Sequence, residues 1–130
     1  MTHADLDRWL REYGRAWETL DPDAAARLFA ENATYHETPF DEPARGIDGV
    51  RAYWAENTGV QREVAFRHEI LAVVGRRGIA RWQADYVRPA TGVRARLDGV
   101  FVLDFTEGGR CLCLREWWHR VESRSEPPSP

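Results

Sequence analysis

In "GIARWQADYV", residues 78–87, apolar and polar side chains alternate strictly from Ala80 to Tyr86. Successive side chains of a β-strand point to opposite faces, so Ala80, Trp82, Ala84 and Tyr86 share one face and Arg81, Gln83 and Asp85 the other. A half-buried strand of an antiparallel sheet carries this pattern. Its surroundings make it one of four such runs, at residues 62–74, 79–87, 93–106 and 109–121. They are separated by "GRRG", "RPATG" and "TEGG", Gly-bearing turn signals of hairpin length. The second half of the chain therefore reads as an antiparallel meander. What the polar row faces, water or a pocket, is the question it raises.

Upstream the period changes to that of helices. Leu6, Trp9, Leu10, Tyr13, Trp17 and Leu20 recur at three- and four-residue spacing, the apolar stripe of an amphipathic helix over residues 3–20. "LDPDAAARLFAEN" restarts a helix, with Asp21 as N-cap, Pro22 at the first helical position and Asn32 at the C-terminal end. "ATYHE" is a short strand, "TPFDEPARG" an irregular loop, and "IDGVRAYWAENT" a third helix with Ile47, Val50 and Trp54 on one stripe. Helices first and an antiparallel meander second is an α+β arrangement. A single domain over residues 1–122 is expected, followed by a disordered Pro/Ser-rich tail, "ESRSEPPSP", over 123–130.

Composition bounds the function. The 130 residues include six Trp, four Tyr and five Phe, enough for a packed core. A formal charge of -3 and a pI near 5.8 exclude a general nucleic-acid binder, which needs excess positive charge against phosphates. All eighteen basic residues are Arg. Alternation in "RCLCLREWW" puts Cys111 and Cys113 on one strand face, too poorly placed for a disulfide, and no further ligands lie at metal spacing. Free thiols, no metal and a reducing, cytoplasmic setting are expected. No run reaches the roughly 20 apolar residues of a membrane span.

Three helices, a short strand after the second, and a four-stranded meander resemble the nuclear transport factor 2-like superfamily, its SnoaL-like branch in particular. "DPDAAARLFAENATYHETPFDEPARGIDGVRAYW" is similar to the family's helix, strand, loop and helix, and "GVFVLDFTEGGRCLCLREWW" to its closing hairpin. The resemblance implies a cone-shaped α+β barrel, three helices closing over the concave side of a curved antiparallel sheet and enclosing a pocket. It also assigns strand faces. Aligned without gaps through "EILAVVGRRGIARWQ", the family's pocket positions fall on Arg81 and Gln83, with Asp85 following. Trp82 and Tyr86 then fall on the convex face, with Val100 and Val102, where relatives dimerise.

The limonene epoxide hydrolase pattern maps onto Tyr35, Glu37, Arg81, Gln83 and Glu116; Gln83 replaces a carboxyl group and Glu37 an amide. The ketosteroid isomerase pattern puts Tyr13 at the oxyanion donor, Glu37 at the base and Phe101 where the family has an acid. Asp98, with Arg94 and Arg96, is assigned to the convex face, and His68 is the one histidine that could turn inward. The resemblance thus implies Glu37 and Glu116 as a proton-transfer pair, with Arg81 keeping one of them charged. Tyr13, Tyr35, Gln83 and Asp85 would bind substrate polar atoms, and Trp17, Trp54, Phe101 and Trp118 would form apolar walls. The expected function is cofactor-independent acid–base chemistry, epoxide opening or isomerisation, on a small apolar molecule, in a homodimer joined through the convex face. The alternatives are a non-catalytic ligand-binding domain and a dimerisation module with a filled interior.

Overall fold

The structure, a computed structural model, describes residues 1–124. Helix α1 (His3–Glu18) opens with a capping box: the Thr2 hydroxyl accepts from the Asp5 amide and the Asp5 carboxylate accepts from the Thr2 amide. Its stripe buries Leu6, Trp9, Leu10 and Tyr13 as the spacing predicts. Asp21 caps α2 (Pro22–Ala26) by accepting from the Ala24 amide, and Pro22 occupies the first turn.

Here the chain departs from the sequence reading. Helix α2 is five residues long, and Phe29–His36 form strand β1. The segment from Phe29 is drawn out of the helix because it pairs in parallel with the last strand, beginning where the Cys111 amide donates to the Leu28 carbonyl. The irregular loop contains a two-residue strand, β2 (Ala44–Arg45), antiparallel to β1. Helix α3 (Gly46–Thr58) follows, burying Val50 and Trp54.

Four long strands complete the fold: β3 (Arg62–Val74), β4 (Arg77–Arg88), β5 (Val93–Phe105) and β6 (Cys111–Arg124). The sheet order is β2-β1-β6-β5-β4-β3, with β3 to β6 as the expected meander. Two corrections follow. The parallel β1–β6 pair makes the sheet mixed rather than antiparallel, and it stays open rather than closing into a barrel. Strand β6 continues through residues 123 and 124, and the remainder of the expected disordered tail lies outside the described residues.

The two cysteines are free, but they do not share a face. A register shift between Asp104 and Phe105 sets Cys111 opposite Phe105 and Cys113 opposite Asp104, so Cys111 is buried and Cys113 half-buried. An extra residue, Leu112, resets the alternation there, as bulges do.

Helix α1 crosses the concave side of the sheet. Gly14 permits this approach, since a Cβ at that position would run into the Phe66 ring. The core is dominated by rings. Phe101, fully buried on β5, lies 5.1 Å from Trp82 and 5.3 Å from Tyr13 between ring centres.

Strand β4 turns the opposite way from the family-based assignment. Trp82 and Tyr86 are buried on the concave side, 2% and 4% exposed. Arg81, Gln83 and Asp85 point outward from the convex face. The ordinary amphipathic reading of this strand prevails because the reverse would move two large rings into water and bury two charges.

Candidate functional site

Between α1, α3 and the concave sheet lies a cavity of about 350 Å³. Its walls are largely aromatic. Trp17 and Tyr13 enter from α1, Tyr53 and Trp54 from α3, Tyr35 from β1, Trp82 and Tyr86 from β4, and Trp118 from β6.

The floor is polar. The Tyr13 and Tyr35 hydroxyls are 2.6 Å apart in a buried hydrogen bond in which either can donate. Glu116, on β6 opposite Phe101, is 6% exposed and faces the cavity. Glu37, just past the end of β1 and half-buried, is the second carboxyl lining it. It is held in place through its backbone, since the Trp118 indole donates to the Glu37 carbonyl at 3.1 Å.

Burial is the main force pushing the Glu116 carboxyl well above the usual carboxylate range, and the negative charge of Glu37 adds to it. Among the described residues no cation offsets that push. The Tyr13 and Tyr35 phenols are likewise raised by burial and then by neighbouring groups, Glu116 among them, so both remain protonated donors. Burial raises Tyr53 too, helped by the charges of Glu116 and Glu37. The arrangement is a buried carboxyl that holds its proton more tightly than usual beside a second carboxyl, with phenols at hand: groups that can give and take protons.

Of the residues singled out from sequence, Tyr13, Trp17, Tyr35, Glu37, Trp54, Glu116 and Trp118 come together around this cavity. Phe101 lies beneath the floor, stacked under Trp82, rather than on the cavity wall. Arg81, Gln83 and Asp85 are absent from the site. On the convex face Arg81 donates to both Asp98 oxygens at 3.0 and 2.6 Å, Gln83 donates to Asp98 at 3.0 Å, and Arg96 donates to Asp85 at 3.1 Å. The Arg81 and Gln83 bonds hold the Asp98 carboxyl down at about 2. This polar row is a ladder of cross-strand pairs. Arg81 therefore leaves Glu116 uncompensated rather than keeping it charged, and the role expected for it fails. Arg81→Gln is expected to leave binding or turnover of any ligand found for the cavity unchanged, which titration or a steady-state assay checks; a drop of about tenfold or more, the size expected on losing a charge-assisted contact, would contradict the placement.

His68 faces α1, where it meets Asp7 at 2.8 Å, and it does not reach the cavity. Tyr53, Gln61, Arg88 and Arg120 line the cavity without having been singled out from sequence, and Tyr86, expected on the convex face, lines it too. All but Gln61 were within reach of the pattern. Tyr53 lies three residues after Val50 on α3, and Tyr86, Arg88 and Arg120 continue the alternation of Trp82 and Glu116. Among the described residues, no group of three or more His, Cys, Asp or Glu side chains is placed to hold a metal ion.

The helix-covered, curved α+β sheet has the nuclear transport factor 2-like fold. The SnoaL-like domain family profile matches residues 10–112, and the chain belongs to that family. Among solved structures it resembles the epoxide hydrolase/cyclase-like enzyme SalBIII, which has a role in pyran ring formation in the polyether salinomycin. The identity is 23%, with 87% of this chain and 89% of that one covered, at a TM-score of 0.75. It also resembles Δ5-3-ketosteroid isomerase from Mycobacterium sp., with 16% identity, 92% and 98% coverage and a TM-score of 0.79. Rv0760c from Mycobacterium tuberculosis is similar at 12% identity, 95% and 99% coverage and a TM-score of 0.80. No curated protein matches the chain significantly. Likeness at these identities establishes the shared fold. No helix among the described residues is long and apolar enough to cross a membrane.

Proposed function

We propose that this protein is a cofactor-independent acid–base enzyme that isomerises, or opens an epoxide in, a small, mainly apolar organic molecule. The observation that carries the proposal is the buried Glu116 carboxyl, unpaired by any cation among the described residues, sharing an aromatic cavity with Glu37. Glu116 is the proton donor and Glu37 the base. An acid that keeps its proton at neutral pH can protonate a developing alkoxide or enolate, and a second carboxylate can take a proton from carbon or from water. Whichever of Tyr13 and Tyr35 accepts in their mutual hydrogen bond has its own O–H left to donate to the same oxygen. SalBIII and the ketosteroid isomerase, on the same fold, lend this reading its reaction classes.

The test is a panel of epoxides, β,γ-unsaturated ketones and lactones, assayed with the wild type and with Glu37→Gln. Turnover in at least one class, lost in the variant, supports the assignment. Binding without turnover across the panel would favour a ligand-binding domain, and unchanged turnover in Glu37→Gln would remove the base.

The proposal includes a homodimer joined through the convex face. The contact proposed from sequence included Trp82 and Tyr86, which are buried on the other side. The convex apolar centre is instead Ile79, Val100, Val102 and Trp117, brought together by the register of β4, β5 and β6, with Trp117 47% exposed. Light scattering should give a dimer mass that Trp117→Glu converts to a monomer; a monomeric wild type would contradict this. A reducing, cytoplasmic setting suits the two free cysteines.

A further inference from the structure

Among the described residues, buried donors without acceptors distinguish this cavity. Three buried side-chain nitrogens among the described residues lack a hydrogen-bond partner: Trp54 Nε1, Trp82 Nε1 and Arg88 Nε. All three are donors, and all three residues line the same cavity. The fold does supply acceptors to comparable groups. Trp9 donates to the Leu28 carbonyl, Trp17 to Gln61 Oε1 at 2.7 Å, and Trp118 to the Glu37 carbonyl. A buried donor left unpaired is costly, so three around one void mark a place where a ligand supplies the acceptors.

The charged end of that ligand follows from the rim. Arg88 at the end of β4 and Arg120 on β6 both reach the cavity, and they share one carboxylate oxygen, Glu122 Oε1, at 3.6 and 3.5 Å. Charge-assisted hydrogen bonds to carboxylate run nearer 2.7–2.9 Å. Neither arginine is saturated: both contacts are long, and Arg88 Nε has no partner, so guanidinium N–H groups remain for a ligand's acceptor. The Arg120 guanidinium also lies 5.9 Å from the centre of the Trp118 ring, which holds it beside the cavity wall. Glu56, exposed on α3, is the other charged group at this rim.

We infer that the ligand is an oxygenated apolar molecule bearing a carboxylate, its ring body among the tryptophans, its neutral oxygens on the Trp54 and Trp82 indoles, and its carboxylate between Arg88 and Arg120. This rests on the proposed function for the location of the ligand and adds the substrate class: an apolar acid rather than a neutral hydrocarbon epoxide or an amine. Arg88 and Arg120 are specificity-determining residues that hold the far end of the molecule away from the reacting atoms.

The experiment is calorimetric titration of the full chain with three probes of one shape: 2-naphthoate, its methyl ester and 2-naphthylmethylammonium. The carboxylate should bind about tenfold more tightly than the ester, as one or two partly exposed charge-assisted contacts allow, and the ammonium should bind most weakly. Arg120→Gln, a change at an exposed side chain, should remove most of the preference for acid over ester and leave ester binding unchanged. Arg88→Gln should do the same, with Arg88→Lys restoring part of it. Equal binding of acid and ester, tightest binding of the ammonium, or a preference that survives Arg120→Gln would overturn the inference while leaving the acid–base proposal standing. If none of the three probes binds, the cavity is not a site for apolar molecules and both readings fall.

Discussion

Replacing Glu116 with glutamine is expected to abolish most of the turnover of any substrate found for the protein and, in the same molecule, to raise its stability at neutral pH. The catalytic loss should be about 10²- to 10⁴-fold, the usual worth of a positioned general acid. Glutamine keeps the shape and the capacity to donate a hydrogen bond, but it cannot release a proton. The stability change follows from the raised carboxyl. Below the ordinary value of 4.5 both folded and unfolded states carry the proton, and ionisation makes no difference between them. As pH rises, the unfolded chain ionises first and is favoured, so the wild type loses stability up to the higher folded value. The loss is about 1.4 kcal/mol for each unit between the two. Glu116→Gln lacks this term. Urea denaturation across pH should therefore show the variant and the wild type converging below about pH 4.5 and the variant pulling ahead above it. A variant that is less stable at pH 7 would mean that Glu116 is charged and paired.

The second large effect is at Trp82. This ring is 2% exposed and stacks between Phe101 at 5.1 Å and Phe66 at 6.3 Å, with Trp17 at 5.9 Å. Trp82→Ala removes the centre of that stack and should cost about 3–5 kcal/mol, a large share of the 5–15 kcal/mol that holds a domain together. Gly99 fixes the geometry from the next strand. A Cβ there would sit 2.6 Å from the Trp117 carbonyl and 3.0 Å from Trp82 Cε2. Trp82→Phe keeps most of the ring contact and deletes the unpaired N–H. It should cost far less stability than Trp82→Ala while weakening binding of an oxygenated ligand. A Trp82→Ala variant as stable as the wild type in denaturant titration would put this residue on the outer face.

The orientation of β4 shows where sequence reasoning held and where it slipped. The alternation of Ala80, Trp82, Ala84 and Tyr86 was sufficient to place that row inside. Gapless alignment to relatives instead put Arg81 and Gln83 in the pocket, and in a strand a displacement of one residue sends every side chain to the other face. The family patterns matched on other segments placed Tyr13, Tyr35, Glu37 and Glu116 around the cavity, where no such slip intervened. Local patterning outranks distant alignment here because hydrophobic burial acts directly on these residues.

Other features were beyond the local sequence. The residues from Phe29 to Asn32 carry helix-like spacing, yet they become strand because their partner, β6, lies some eighty residues downstream. The offset of Cys111 from Cys113 depends on a bulge that alternation cannot reveal. The Arg88–Glu122–Arg120 arrangement needs the register of β4, β5 and β6 together, although each residue already sits on the inward parity of its strand.

The central claim is that Glu116 is a neutral carboxylic acid within the cavity at physiological pH, and infrared difference spectroscopy tests it most directly. The wild type at pH 7 should show the carbonyl stretch of a protonated carboxyl group that disappears in Glu116→Gln and persists in Glu37→Gln. A wild-type spectrum at pH 7 with carboxylate bands alone, unchanged in that region by Glu116→Gln, would contradict the account.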